Sequence, residues 1–236
     1  MKTPLLVVVL VAVILSAKVE ASPYYKVSLD SVVNQPSNFI DYPWGEVNFG
    51  GIPFRIAETQ NMFMTQSELE PNLPDYASFS MQVQSPETVY LLLNAGFLDS
   101  AYLNATIGKI VLTYDNGSTQ LINLVAGQNI REWSWTDLGG QIITQVTDTN
   151  VSEVWKGYVV TSPTAYNRID MLKIPTTNSS PLTKIELYDL SHNCGVTARD
   201  AALMLRGITV QSSVPEPSSF LALGGSITFL GLLKRR

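Results

Sequence analysis

Apolar and polar residues alternate in short runs along most of the chain, and the runs are separated by Gly, Pro, Asn, Asp and Ser. Period-two alternation of this kind predicts strands with one face buried. It predicts strands at Val47–Ala57, Tyr76–Val83, Thr88–Ala95, Gly108–Tyr114, Thr119–Leu124, Val154–Val160, Lys184–Asp189 and Ala202–Val210. No apolar pattern of period 3.6 lasts for three turns, so the chain reads as all-β, an antiparallel sandwich or barrel. The clearest local unit is Ile110–Leu124. There Asp115-Asn116-Gly117-Ser118 supplies turn residues between two alternating flanks and predicts a hairpin. Val89–Ala95 is apolar at nearly every position, as expected of an inner strand covered on both faces. Gln60–Pro74 and Gln128–Asn150 carry little pattern and read as long loops or edge segments.

The two ends depart from this rhythm. Met1–Ala21 has Lys2, a continuous apolar stretch from Leu5 to Leu15, then Val19 and Ala21 at the spacing a signal peptidase accepts. This reads as a secretory signal peptide, which divides the chain into leader 1–21, body 22–213 and tail 214–236. In the tail, Pro215-Glu216-Pro217 precedes an apolar run from Phe220 to Leu233 that ends in Lys234-Arg235-Arg236. As a helix this run rises about 21 Å, against a hydrocarbon core of roughly 30 Å, so it predicts a short and transient membrane contact. The terminal cations favour the cytoplasmic side, which leaves the body outside.

Without its two ends the chain carries 18 Asp and Glu against 10 Lys and Arg, a net charge of −8. Such a balance argues against a nucleic-acid partner, because there is no basic excess to gain from counterion release. Cys194 is the only cysteine, so no intrachain disulfide can form; the thiol is expected to be free and buried, and His192 lies two residues away. With one His and no GxSxG, HExxH or P-loop, the chain lacks the parts for serine-hydrolase, zinc-protease or nucleotide chemistry. The expected role is non-catalytic. A glycosidase or lyase needs only two carboxylates or a Tyr and a base, so a polysaccharide-cleaving enzyme stays as an alternative.

The most binding-like segment is Asn129–Asp137. Trp133 and Trp135 alternate on an extended chain and suit stacking on sugar rings, with Asn129, Arg131 and Asp137 as hydrogen-bonding partners. The competing reading has both indoles closing one end of the core. Trp44, the Trp155–Tyr158 stretch and the Tyr24–Tyr25 pair raise the same choice. For a structural calcium ion, Asp30, Asn34, Asp41 and Asp189 offer oxygen ligands near predicted strand ends, although none lies in a DxDxDG-like loop. Four Asn-x-Ser/Thr triplets, at Asn104, Asn116, Asn150 and Asn178, read as turn and loop residues.

Two stretches carry a family resemblance. The order Val214-Pro215-Glu216-Pro217, apolar run, Lys234-Arg235-Arg236 resembles the PEP-CTERM sorting signal of bacterial exported proteins. That resemblance implies processing by an exosortase near the Pro-Glu-Pro, after signal peptidase acts at the other end. Residues 50–56 (GGIPFRI), 88–96 (TVYLLLNAG) and 107–133 resemble galactose-binding-like β-sandwiches of exported proteins, which implies a jelly roll, with carbohydrate as ligand and calcium at its edge. The expected protein is an exported cell-envelope or extracellular-matrix module binding extracellular polysaccharide. A purely structural, self-assembling surface protein is the other expectation.

Overall fold

Strands buried on both faces organise the molecule. A computed structural model describes residues 23–36, 42–135, 142–159, 162–196 and 200–213. The leader, the sorting motif and both Asp41 and Asp137 lie outside these residues. In chain order the strands are β1 (Tyr24–Val27), β2 (Gly45–Phe49), β3 (Ile52–Ile56), β4 (Phe63–Met64), β5 (Tyr76–Val83), β6 (Pro86–Gly96), β7 (Thr106–Tyr114), β8 (Thr119–Val125), β9 (Ser134–Trp135), β10 (Val151–Val159), β11 (Ser162–Pro175), β12 (Leu182–Asp189) and β13 (Ala202–Ser212). The fold is all-β, antiparallel and sandwich-like.

A larger sheet runs β1-β13-β6-β11-β10, with β4 added on β13 and β9 on β11, and a smaller one runs β5-β12-β7-β8. The main core lies between them. From β6 it takes Val89, Leu91, Leu93 and Ala95; from β13 Leu203, Leu205, Ile208 and Val210; and from the smaller sheet residues such as Phe79, Ile110, Leu112, Ile185 and Leu187. The opposite face of the larger sheet is also covered. The hairpin β2–β3 lays Ile52, Phe54 and Ile56 over Tyr90, Leu92 and Ile169. Met62 and Met64 pack with Ala202 and Met204 beside it. Two covered faces account for the continuous apolar run in β6, as expected from its sequence.

A β-bulge sets the phase of β13. Leu205 pairs with Leu93 and Gly207 with Leu92, so Arg206 is an extra residue. This insertion puts Leu205 and Ile208 on one face although they are three positions apart. Arg206 is completely buried, its guanidinium carbon 5.8 Å from the Tyr42 ring and 5.7 Å from the Trp133 ring.

The predicted hairpin is β7–β8, closed by a turn with Gly117 at φ 80° and with the Asn116 side chain accepting from the Ser118 N–H at 3.0 Å. The expected single strand at Val47–Ala57 is corrected to the hairpin β2–β3. Its turn places Gly50 and Gly51 at φ 61° and 88°, a backbone that a continuous strand does not contain. The sequence reading omitted β1 and β11. The second of these, 14 residues long, is the strand on which the site is built.

Candidate functional site

The larger sheet forks where β6 and β11 part. Their pairing ends at Leu92 and Met171. Beyond it the chain from Arg131 to Trp135 enters between them: Ala95 N–H donates to the Arg131 carbonyl at 3.0 Å, Trp133 N–H to the Ala95 carbonyl at 2.8 Å, and Arg168 N–H to the Trp133 carbonyl at 2.8 Å. β9 then pairs with β11 through Ser134 opposite Asn167 and Trp135 opposite Tyr166. A third chain inserted between two strands carries its polar side chains into the interior, and they are met there by partners.

Asp170 is the anchor. Arg131 grips its carboxylate with two bonds of 2.7 Å, from Nε and from a terminal nitrogen, and Asn94 Nδ2 donates to it at 2.8 Å. Asn94 Oδ1 in turn accepts from the Asp170 N–H at 3.1 Å, in place of the strand pairing that has ended. Arg131 and Arg168 both donate to the Thr144 carbonyl, at 3.0 and 3.1 Å. Glu153 lies 3.4 Å from Arg131 and 3.7 Å from Arg168. Burial works against the charge of Arg131, but the bonds and charge of Asp170, with Glu153, hold its pKa above the ordinary value. Burial, with repulsion from Arg131, lowers that of Arg168. Two guanidiniums and two carboxylates thus balance one another.

Glu132 is the odd acid. It accepts from the Leu98 N–H at 2.7 Å and the Ser134 N–H at 3.3 Å, tying the end of β6 to the inserted chain. Desolvation pushes its pKa up to about 7, only partly opposed by these bonds and by Arg168.

Outward from this ion cluster the same face of β10 and β11 turns aromatic. The cross-strand pairs run Val151 with Leu172, Glu153 with Asp170, Lys156 with Arg168 and Tyr158 with Tyr166, so the face passes from core through charge to tyrosine. Position 135 is the backbone register partner of Tyr166 on its other side, and Tyr166 and Tyr158 face each other as a cross-strand aromatic row. Tyr158 is 64% exposed, its ring centroid 6.4 Å from that of Tyr166. Lys156 Nζ lies 3.5 Å from the Tyr166 centroid and 5.6 Å from that of Tyr158. An Arg168 nitrogen donates to the Tyr166 hydroxyl at 3.1 Å and fixes that ring from below. A ring held by buried charge beside one standing in water is the arrangement an aromatic platform needs.

The residues singled out from sequence divide. Arg131 has its guanidinium committed to Asp170 and Thr144, with the side chain 11% exposed. Asn129 closes its own turn, accepting from the Val125 N–H at 2.7 Å and donating to the Asn123 carbonyl at 2.8 Å. The Trp133 indole is half-buried against the methionine cluster. Trp135 pairs through its backbone with Tyr166 on β11. Trp155 packs edge-on to Tyr42 at 5.3 Å, and Trp44 is exposed.

The calcium candidates have separate partners. Asp30 takes a 2.7 Å bond from Arg55, Asn34 brackets the backbone of Met64, and Asp189 accepts from the Thr65 hydroxyl and the Ser191 N–H. Among the described residues no three His, Cys, Asp or Glu side chains gather as a metal site. An open cleft of about 640 Å³ lies beside Asp30, Arg55 and Glu58, with their charges at its rim. Cys194 is a free thiol capping a short 3-10 turn, only partly buried where full burial was expected, and donates to the Ser191 carbonyl at 3.1 Å; His192 Nδ1 is 3.2 Å from Asp200.

A second tyrosine pair sits on the smaller sheet. The Tyr76 and Tyr188 ring centroids lie 4.8 Å apart with the planes tilted by 43°, and both hydroxyls donate to Glu186, at 2.8 and 3.2 Å. Those hydroxyls are thereby committed, Lys109 Nζ lies 4.6 Å from the Tyr188 centroid, and Tyr76 is 41% exposed. Sequence reasoning overlooked Tyr166, Arg168 and Asp170, because it missed β11; their i, i+2, i+4 spacing was the signal present. Compared with family models and with curated proteins, the chain matches none.

Proposed function

We propose that the protein is an exported, non-catalytic module of the cell envelope or extracellular matrix, a galactose-binding-like jelly roll that binds polysaccharide on the Tyr158–Tyr166 row. The observation that carries this reading is the solvent-standing Tyr158 beside a Tyr166 ring clamped by Arg168. A pyranose presents an apolar C–H face that stacks on such a ring, while the neighbouring cation and the charged rim meet its hydroxyls. The leader and the Pro215-Glu216-Pro217 tail with Lys234-Arg235-Arg236 support export, signal-peptidase cleavage and exosortase sorting through a transient inner-membrane contact.

Self-assembly through strand edges is the competing reading, and the terminal strand β10 argues against it. It is bulged after Glu153 and presents Glu153 and Lys156, devices that oppose edge-to-edge pairing. Affinity electrophoresis through gels containing extracellular polysaccharides tests the proposal. Retardation of the wild-type chain, abolished in Tyr158→Ala and kept in Tyr76→Ala, is expected. Equal mobility of wild type and Tyr158→Ala in every gel overturns it.

A further inference from the structure

Among the described residues around the aromatic row, every cation but one has its carboxylate. Arg131 is bound by Asp170 and Glu153, and Arg168 lies against Glu153. Among the described residues Lys156 has no acidic partner, and its contacts are the faces of Tyr166 and Tyr158. An ammonium carries three N–H donors, and ring faces attract its charge without accepting those bonds as an oxygen does. The two tyrosines hold this charge at a fixed place on an otherwise acidic protein, with its donors open to an incoming anion.

Resting on the saccharide reading above, we propose that the platform takes a uronate, with the pyranose face on Tyr158 and the carboxylate on Lys156 Nζ. The geometry favours a carboxyl on the ring itself. A uronate bears its charge directly on C5, at the edge of the sugar, and a sugar centred over Tyr158 brings that edge toward an ammonium 5.6 Å from the ring centroid. A sulfate or phosphate ester projects further from the ring and passes beyond it. The overall negative charge does not forbid this partner, because at physiological ionic strength exposed charges further away than roughly 8 Å are largely screened.

Isothermal titration of the full chain in detergent, at physiological ionic strength, with trigalacturonate and with neutral galactotriose tests the inference. The expected result is about three- to fivefold tighter binding of trigalacturonate, as for one exposed ion pair. In Lys156→Gln the preference disappears while galactotriose binding stays, and in Tyr158→Ala both sugars are lost. Equal affinities in the wild type, or a preference that survives Lys156→Gln, overturn the uronate assignment and leave the saccharide reading intact. If the wild type binds neither sugar, both readings fall.

Discussion

At the scale of single residues the largest consequences come from charges placed inside the fork. Removing one partner of a buried ion pair leaves the other uncompensated, at a cost of about 3–5 kcal/mol. Asp170→Ala strands Arg131 and Asn94 together, so a loss of that size is expected in urea denaturation. Tyr158→Ala removes an exposed ring and is expected to change stability by no more than about 0.5 kcal/mol. The pair separates positioning from contact: Asp170 holds the platform, and Tyr158 is the platform.

Glu132 makes stability depend on pH. Its folded pKa, about 7, stands above the ordinary 4.5, so the folded state binds the proton more tightly than the unfolded chain. The resulting stabilisation is fully present below pH 4.5 and is lost as pH rises through about 7, to an extent on the order of 3 kcal/mol. Asp189, raised by burial, acts in the same direction. Thermal melts of the wild type are therefore expected to fall between pH 5 and pH 8. Glu132→Gln is expected to flatten most of that slope and to leave the part due to Asp189. An equal slope in both proteins contradicts the assignment.

At the scale of elements, β6 is the strand on which both layers rest. Leu91 faces the main core with no exposure, and Leu91→Ala is expected to cost about 2–5 kcal/mol, measured by denaturant midpoint at unchanged m-value. This strand was legible in sequence because both of its faces are apolar. β5 and the β7–β8 hairpin were legible because alternation and Asn-Gly agree there. β11 was not. Asn167, Arg168 and Asp170 are all buried, so hydropathy marks as surface a stretch that lies inside. The aromatic row depends on that strand, and so the sequence pointed first at Trp133 and Trp135 with Arg131 and raised Tyr158 only beside Trp155, with nothing to set Tyr166 opposite it. Arg131 was read as a partner for sugar hydroxyls, and in the fold its guanidinium is held by a buried carboxylate 39 residues away.

At the scale of the whole molecule, the two sheets share a core but differ in their tyrosine pairs. On the smaller sheet Tyr76 and Tyr188 both spend their hydroxyls on Glu186, with Tyr76 41% exposed; on the larger one an ion cluster fixes Tyr166 and leaves Tyr158 64% exposed. The sequence supplied both pairs without distinguishing them, since exposure follows from which strands end where. The two pairs also make the central claim directly testable. The measurement is an NMR titration of the full chain, ring-labelled at tyrosine, with an extracellular acidic polysaccharide. The account predicts that the Tyr158 and Tyr166 ring signals, assigned by Tyr→Phe variants, move together while those of Tyr76 and Tyr188 stay still. Movement confined to Tyr76 and Tyr188, or stationary signals from all four rings at saturating polymer, contradicts it.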